Sequence, residues 1–290
     1  MDVPDNLVHI FEQLDLGLPF GQPQWTLCVQ PPLRKRKLST SIALKNMCFV
    51  LRTGLPWRHL SICGISSSAV YKRFQVWLAK GVFTKAWTQL ITMYAEQKMT
   101  ESRDWFKDIF IDTTMIKNVN GIDGLGKNPT DRGRLATKMS VIVDNAMMPL
   151  CCEFFPANQV DCTTAIQTIN NIQCSIKPDK RYSNIVIADK GYISKTIVQA
   201  LKAKNMRLLT PTKKNSKQSI SLSNDDRNRL KRRHKVENFF CRLDKFKRIH
   251  CRVDKSLAAF KAFTLLGMSL VVLGNQKLYS FEEHYYIDIG

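Results

Sequence analysis

The chain has 290 residues, with 44 lysine or arginine and 24 aspartate or glutamate residues, so its formal net charge is +20. Apolar residues make up 44% of the chain, which is enough for a buried core and excludes an intrinsically disordered chain. The positive charge favours a polyanionic partner, most simply nucleic acid, over the alternative of a membrane surface.

The nine cysteines and the apolar runs indicate where the protein works. The cysteine count is odd and no Cys-x-x-Cys pair occurs, so the cysteines are typical of small apolar residues in a reducing compartment. The first 16 residues hold four acids and no lysine or arginine, unlike a signal peptide. The longest apolar stretch, residues 262–273, is too short to span a bilayer and predicts a buried helix. We therefore expect an intracellular protein with no membrane partner.

The N-terminal third predicts a small helical region, which we place at residues 1–100. Apolar spacing predicts three helices, at residues 39–51, from residue 66 onward, and at 84–98. The second helix carries Lys72 and Arg73 on a polar face. Three helices with a basic one in the middle are typical of a helix-turn-helix-like DNA-binding region, although many other small helical domains share this pattern.

The remaining residues, 101–290, predict a mixed-sheet α/β domain, because the apolar period changes after residue 104. The predicted order is three strands, helix, strand, helix, strand and two long helices. The strands are predicted at residues 107–114, 137–144, 149–155, 184–188 and 206–209, and the helices at 162–176, 194–204, 225–249 and 257–278.

Two aspartates follow predicted strands, and a glutamate lies on a late helix. Asp112 and Asp189 come at strand ends, where open α/β sheets bind their ligands. A carboxylate beside a fully apolar strand is costly unless something pairs with it. Carboxylate oxygens are ligands that Mg²⁺ prefers, and two such ions about 4 Å apart can promote phosphodiester cleavage. Glu237, beside the apolar stripe of its helix, is the natural third ligand.

Each of these acids also has a purely structural interpretation. Each aspartate would then cap the turn that follows it, and Glu237 would balance charge through an i−4 pair with Arg233. Against this, residues 201–255 contain 18 basic and 5 acidic residues. The positive charge is therefore concentrated around the proposed site, where a phosphate backbone would be drawn.

Several segments, in order along the chain, resemble those of DDE transposases of bacterial-type insertion sequences, in the insertion-sequence-five group. They are residues 52–60 (RTGLPWRHL), 68–77 (SAVYKRFQVW), 112–114 (DTT), 126–134 (GKNPTDRGR), 137–138 (TK), 156–158 (PAN), 188–192 (ADKGY), 236–240 (VENFF) and 252–255 (RVDK). The resemblance covers about residues 25–275.

This resemblance implies a ribonuclease-H-like catalytic domain in which Asp112, Asp189 and Glu237 hold two Mg²⁺ ions, with Mn²⁺ as a substitute. Such enzymes cut double-stranded DNA at the ends of their own mobile element, and the freed 3′-hydroxyl attacks a target strand. We expect a homodimer on DNA, because strand transfer usually needs both element ends held at once. The expected DNA contacts are Arg233, Lys127, Arg132, Arg134, Lys138, Lys190, Lys245, Lys72 and Arg73.

The chain departs from the family pattern at two positions. Asp244 stands where a lysine is usual, with Lys245 next to it, and Leu230 stands where related branches often carry tyrosine. Two alternatives to an active transposase therefore stay open. One is a DNA-binding protein descended from such an enzyme that no longer cuts, and the other is a nuclease that hydrolyses DNA without strand transfer.

Overall fold

The computed structural model describes residues 3–16, 38–60, 66–102, 105–172, 184–212 and 222–275. The last residues of two predicted helices, 173–176 and 276–278, lie outside these ranges.

Within the described residues before the sheet there are four α-helices, and three of them were predicted. They are α1 (Asp5–Leu16), α2 (Thr40–Thr53), α3 (Ser67–Ala79) and α4 (Val82–Glu101). Helix α2 begins where expected, because the Ser39 hydroxyl accepts a hydrogen bond from the amide of Ile42 at 3.3 Å. It ends at Gly54, whose φ of +70° lies in the left-handed region. The helical region is confirmed, whereas its entry into a DNA groove stays a prediction.

The sheet has the strand order β4-β3-β1-β5-β6 along its main body. Strands β1, β3 and β4 pair antiparallel, whereas β5 pairs parallel with β1 and with β6. This is the ribonuclease-H-like arrangement expected above. Two short strands, β2 and β7, pair with β3 and β1. The strands are β1 (Asp108–Asn118), β2 (Gly126–Lys127), β3 (Leu135–Val143), β4 (Pro149–Pro156), β5 (Asn184–Ile187), β6 (Met206–Leu209) and β7 (Cys251–Arg252).

The prediction of a single helix over residues 225–249 is wrong. The structure has three helices there, α7 (Asn224–Lys231), α8 (His234–Leu243) and α9 (Lys247–His250). Between α7 and α8 the amides of Arg232 and Arg233 bond to carbonyls three residues back, which is a tight 3₁₀ turn. Arg229 and Arg232, on either side of the start of this turn, both reach the carboxylate of Asp108, at 3.1 and 2.6 Å. These ion pairs to β1 favour the break between α7 and α8. The spacing of apolar residues cannot predict them, because Asp108 lies far away in the sequence.

The other helices are α5 (Asp161–Asn170), α6 (Lys195–Ala203) and α10 (Leu257–Asn275). Residues 257–274 of α10 are long and apolar enough to cross a bilayer, but 72% of that stretch is buried inside the protein. The prediction of a buried core helix is confirmed. Phe263 of α10 stacks on Phe74 of α3, with ring centroids 4.9 Å apart. One apolar core therefore joins the helical region to the sheet, and the domain boundary near residue 100 stays a prediction.

Candidate active site

The candidate site lies on an unpaired stretch of the edge of β1. Strand β5 pairs with residues 108–110 of β1, and β7 pairs with residues 117–118 of the same strand. Between these two ladders β1 has no partner on that side among the described residues. Its residues 112–115 are therefore partly exposed, in contrast to the buried residues 108–111.

Asp112 sits at the start of this stretch, in the middle of β1, where it pairs with Val141 of β3. The prediction that Asp112 comes at the end of a strand is therefore wrong, because β1 continues to Asn118, and no turn follows for it to cap. The Oδ1 atom of Asp112 accepts a hydrogen bond from the amide of Thr113 at 2.8 Å. Burial raises the pKa of Asp112 to about 6, although the Thr113 amide and Arg233 lower it, and the nearby charges of Glu237 and Asp189 raise it further. Asp189 and Glu237 therefore both lie within electrostatic range of Asp112.

Asp189 follows β5 and begins a 3₁₀ turn at Lys190–Tyr192. Its Oδ1 atom accepts a hydrogen bond from the amide of Lys190 at 2.7 Å, so Asp189 does cap the turn that follows it. The capping interpretation is thus correct for this residue. It does not exclude a second role, because the charge of Asp189 also reaches Asp112.

Glu237 projects from α8 beside the site. Val236, Phe239 and Leu243 of α8 are buried, which leaves Glu237 half exposed, with 49% of its side chain accessible. Arg233, one turn earlier, bridges two of the acids. Its Nη2 atom lies 2.8 Å from Glu237 Oε1, and its Nη1 atom lies 3.4 Å from Asp112 Oδ2. The predicted ion pair between Arg233 and Glu237 is therefore present, and Arg233 also pairs with Asp112 of β1.

The donor chemistry of the site fits a hard divalent cation, because it consists of carboxylate oxygens with excess negative charge. The guanidinium of Arg233 lies between two of these carboxylates as a cation of the protein's own. Across the described ranges, however, no three His, Cys, Asp or Glu side chains are already gathered at the spacing of metal ligands. The residue types therefore fit a divalent cation, whereas the carboxylates, with Arg233 between two of them, are not at the spacing of metal ligands.

Sequence reasoning missed two neighbours of the site, Tyr192 and Asp161. The Tyr192 hydroxyl is buried near the side chain of Thr113, without a well-formed hydrogen bond among the described residues. Burial raises the pKa of Tyr192, the charges of Asp112, Asp161 and Asp189 raise it further, and the side chain of Thr113 lowers it. In the sequence, Asp161 is indistinguishable from an ordinary residue of a first helical turn, and Tyr192 from a core aromatic residue.

Lys138, expected to contact DNA, is instead buried in β3. Its ammonium donates to Asp161 Oδ1 and to the carbonyl of Gln159, both at 2.5 Å. Strand β3 is buried from residue 136 to residue 143, since it pairs with β1 on one side and with β4 on the other, and a buried position admits a lysine only when its charge is paired. Lys138 is therefore not accessible to a phosphate in this structure.

The other expected DNA contacts of the sheet domain are accessible. Lys127, Arg132 and Arg134 lie exposed on the β2–β3 hairpin, which projects from the carboxyl end of β1. Lys190, next to Asp189, and Lys245, after α8, are also exposed.

The two expected contacts on α3 differ from each other. Lys72 is exposed. Arg73 is held inside the helical region, where its Nη1 atom pairs with Asp15 of α1 at 2.8 Å and its Nη2 atom donates to the carbonyl of Leu38 at 3.0 Å. No contact in the described structure joins these two side chains to the acidic site.

The strand order of a ribonuclease-H-like sheet, with Asp112 on its central strand and Glu237 joined to it through Arg233, defines the class of this protein. Comparison with known proteins identifies the family. The family model described as "Transposase DDE domain" matches residues 107–272, and the chain belongs to this family. A second model, for candidate transposases of the IS4/5 family, matches residues 23–87. The predicted resemblance to insertion-sequence transposases is thereby confirmed.

Individual relatives are more distant. A candidate transposase for insertion sequence element IS6501 of Brucella ovis is 29% identical over 139 residues, which is 48% of this chain and 99% of the relative. The catalytic domain of Mos1 mariner transposase is 12% identical, covering 54% of this chain and 89% of that chain, with a TM-score of 0.28. The Mos1 paired-end complex with Mg is 12% identical, covering 94% and 87%, also with a TM-score of 0.28.

Proposed function

We propose that this protein is an active transposase, which binds the ends of its mobile element, cleaves the DNA there and joins the 3′ ends to a target. The observation that carries this proposal is that Asp112, on the unpaired edge of β1, and Glu237 of α8 both contact the guanidinium of Arg233, while the charge of Asp189 also reaches Asp112. It acts inside the cell, where the DNA is, and it acts as a homodimer because two element ends must be held together.

Asp112, Asp189 and Glu237 would hold the divalent ions, Mg²⁺ or Mn²⁺. When bound, such ions lower the pKa of an attacking water and stabilise charge on the leaving oxygen of a phosphodiester. The protein contributes the positions of the carboxylates. Asp112 is fixed by the ladder between β1 and β3, Asp189 by its capping bond, and Glu237 by the apolar face of α8.

The DNA backbone would run across the exposed cations around the site. Lys190 follows Asp189 directly, and Lys245 follows α8, the helix that carries Glu237. The β2–β3 hairpin adds three more cations: Lys127, Arg132 and Arg134. Lys72 would contact DNA from the helical region. Such contacts give affinity and orientation without reading the sequence. Lys138 and Arg73 are left out, because their charges are paired inside the protein.

A second candidate function is that of an inactive DNA-binding descendant. Asp244, in the position where lysine is usual, is the observation in its favour. Its carboxylate lies 3.6 Å from Nδ1 of His250, and it places a negative charge where the active family has a positive one. Lys245, exposed beside it, offers a replacement cation within one residue.

The deciding experiment is nicking of a supercoiled plasmid that carries the DNA flanking this gene, in the presence of Mg²⁺. Wild type is compared with Glu237→Gln and with the control Glu96→Gln, which removes an exposed acid on α4. We expect cuts at the flanks of the gene for wild type and the control, and none for Glu237→Gln. DNA binding without any cutting, in Mg²⁺ or Mn²⁺, would favour the inactive descendant.

Joining must be tested separately from cutting. An oligonucleotide of the element end with a free 3′-hydroxyl is incubated with protein and a target plasmid. Covalent end–plasmid products support a transposase, whereas nicking alone indicates a nuclease without strand transfer.

A further inference from the structure

The guanidinium of Arg233 occupies the place between two of the three acids. It lies 2.8 Å from Glu237 Oε1 and 3.4 Å from Asp112 Oδ2. It is therefore shared between a carboxylate on β1 and one on α8. The cation that pairs with these two acids in this structure is therefore a side chain of the protein, Arg233.

A divalent ion and this guanidinium would compete for the same oxygens. Both are cations, and a half-buried site disfavours two unscreened like charges in contact. The guanidinium is also not locked in place, since 29% of the Arg233 side chain is accessible and the contact to Asp112 is long. Half-exposed ion pairs of this kind are weak enough to be exchanged.

The backbone beneath Arg233 is held by other contacts. Arg229 and Arg232 both bind Asp108, and Arg232 also donates to Asn145 Oδ1 at 3.1 Å. The 3₁₀ turn that carries Arg233 is therefore anchored to β1 independently of the acidic site. The side chain can leave the carboxylates by rotating its own bonds, without movement of α8.

We propose that Arg233 is an internal counter-ion of the acidic site, which a divalent cation must displace before Asp112 and Glu237 can both bind the ion. This inference rests on the proposed function, because it requires that the acids hold a metal. It explains why the charges of Asp189 and Glu237 reach Asp112, although the described carboxylates are not at the spacing of metal ligands. The displaced guanidinium regains the five N–H donors of its fork, which suit a phosphate group. Metal binding and phosphate binding at this turn thereby become coupled.

The test measures Mn²⁺ binding to the full-length protein without DNA, by loss of the free-ion signal in electron paramagnetic resonance. Four variants are compared with wild type: Arg233→Gln, Arg233→Lys, Lys231→Gln and Asp189→Asn. Lys231→Gln is the matched control, since it removes one exposed positive charge two residues away. Asp189→Asn shows whether the ion is bound at the proposed site.

We expect Arg233→Gln to bind Mn²⁺ about three- to tenfold more tightly than wild type, the size set by two weak ion pairs. Lys231→Gln should change the affinity by less than about twofold, since exposed charges are screened. Arg233→Lys keeps the charge but cannot contact both carboxylates with one guanidinium, so its Mn²⁺ affinity should fall between those of wild type and Arg233→Gln. If Arg233→Gln does not fold, the affinity of Arg233→Lys tests the proposal.

The experiment distinguishes failure of the counter-ion role of Arg233 from failure of the proposed metal site. If Mn²⁺ binds wild type and is lost in Asp189→Asn, but Arg233→Gln binds no more tightly than Lys231→Gln, then the counter-ion role is wrong and the proposed metal site stands. If no variant binds Mn²⁺, or if Asp189→Asn binds it as wild type does, then the metal site itself is wrong and the counter-ion role falls with it.

Discussion

Two buried tyrosines, Tyr94 of α4 and Tyr192 of the turn after β5, differ in what their hydroxyls contact. Tyr94 donates a hydrogen bond of 2.5 Å to Asp144 Oδ2, whereas the Tyr192 hydroxyl has only the side chain of Thr113 near it and makes no well-formed hydrogen bond among the described residues. A buried hydroxyl without a well-formed hydrogen bond costs stability. Tyr192 packs in the apolar core, and the charges of Asp112 and Asp189 reach its hydroxyl.

The first prediction concerns the stability cost of these hydroxyls. Tyr192→Phe should leave the free energy of unfolding unchanged or raise it by up to about 1 kcal/mol, because it removes an unsatisfied polar group and keeps the ring. Tyr94→Phe should lower it by about 1 to 3 kcal/mol, because it leaves the buried Asp144 without its donor. Urea unfolding measures both. An equal loss in the two variants would show that Tyr192 is hydrogen-bonded after all.

The second prediction separates binding from catalysis at a single carboxylate. Asp189→Asn should abolish cleavage and leave DNA affinity equal or higher, because it removes a metal ligand and one negative charge while the amide oxygen still caps the 3₁₀ turn. Band shifts and nicking assays on the same preparation measure the two effects. Weakened DNA binding at unchanged thermal stability would contradict the assignment of Asp189 to catalysis.

Among the structural elements, the turn between α7 and α8 has the largest consequence for the site. Asp108, at the start of β1, binds Arg229 and Arg232, and Asp226 of α7 pairs in turn with Arg207 of β6 at 2.7 Å. This network ties α7 to two strands. It holds the turn from which α8 begins, and with it Arg233, whose guanidinium joins Glu237 to Asp112.

The third prediction follows from this network. Asp108→Asn should lower the free energy of unfolding by about 2 to 3 kcal/mol, because it leaves two arginines without their shared, nearly buried carboxylate. Asp225→Asn, an exposed acid on α7, is the control and should cost less than about 0.5 kcal/mol. Thermal and urea unfolding of both variants provide the measurement, and similar losses for the two would mean that the network adds little.

A second element explains one of the sequence motifs. Arg252 of β7 is fully buried, and its guanidinium binds Asp123, the Thr137 hydroxyl at 2.9 Å and the carbonyl of Lys255 at 3.0 Å. It therefore fixes the loop between β1 and β2. Asp254 of the same motif pairs with the buried Arg248 at 2.7 Å, so both Arg252 and Asp254 of residues 252–255 have structural contacts in this protein.

On the scale of the whole molecule, the helical region and the sheet domain share one core. Helix α10 lies between them, and Phe263 contacts both Phe74 of α3 and Trp57 after α2. Regions that share a core unfold together, since neither can lose its contacts without exposing the apolar surface of the other.

The fourth prediction is therefore a single unfolding transition. Tryptophan fluorescence reports mainly on the helical region, through Trp57, Trp77 and Trp87, whereas far-ultraviolet circular dichroism reports on the whole chain. The urea midpoints from the two probes should coincide. Separate midpoints would show that residues near 100 divide two independently stable domains.

The net charge of +20 gives the fifth prediction. If the exposed cations named above contact about six phosphates, DNA affinity should fall by about three orders of magnitude between 50 and 200 mM salt, through release of counterions. Titrations at several salt concentrations measure the slope. Lys127→Ala should reduce the slope by about one unit, whereas Lys138→Ala, at a buried position, should not change it at unchanged fold.

The amino-acid sequence by itself determined most of the strands and helices, because apolar periodicity is a local signal of which side of an element is buried. It also singled out Asp112, Asp189 and Glu237 as candidates, although Asp112 lies inside β1 and not at its end. Their role as metal ligands stays a prediction. The first helix was not predicted, although Leu7, Ile10, Phe11 and Leu14 follow helical spacing and pack in the core. The single helix over residues 225–249 was wrong because periodicity does not show where an element turns toward a partner.

The tertiary structure alone decided which charges are accessible and which are paired. Lys138 and Arg73 look like DNA contacts in the sequence, but Asp161 and Asp15 pair with them inside the protein. Arg233 bridges Glu237, four residues away, and Asp112, on another element. Ion pairs between residues far apart in the chain depend on how the elements pack, and that packing has no local signature in the sequence.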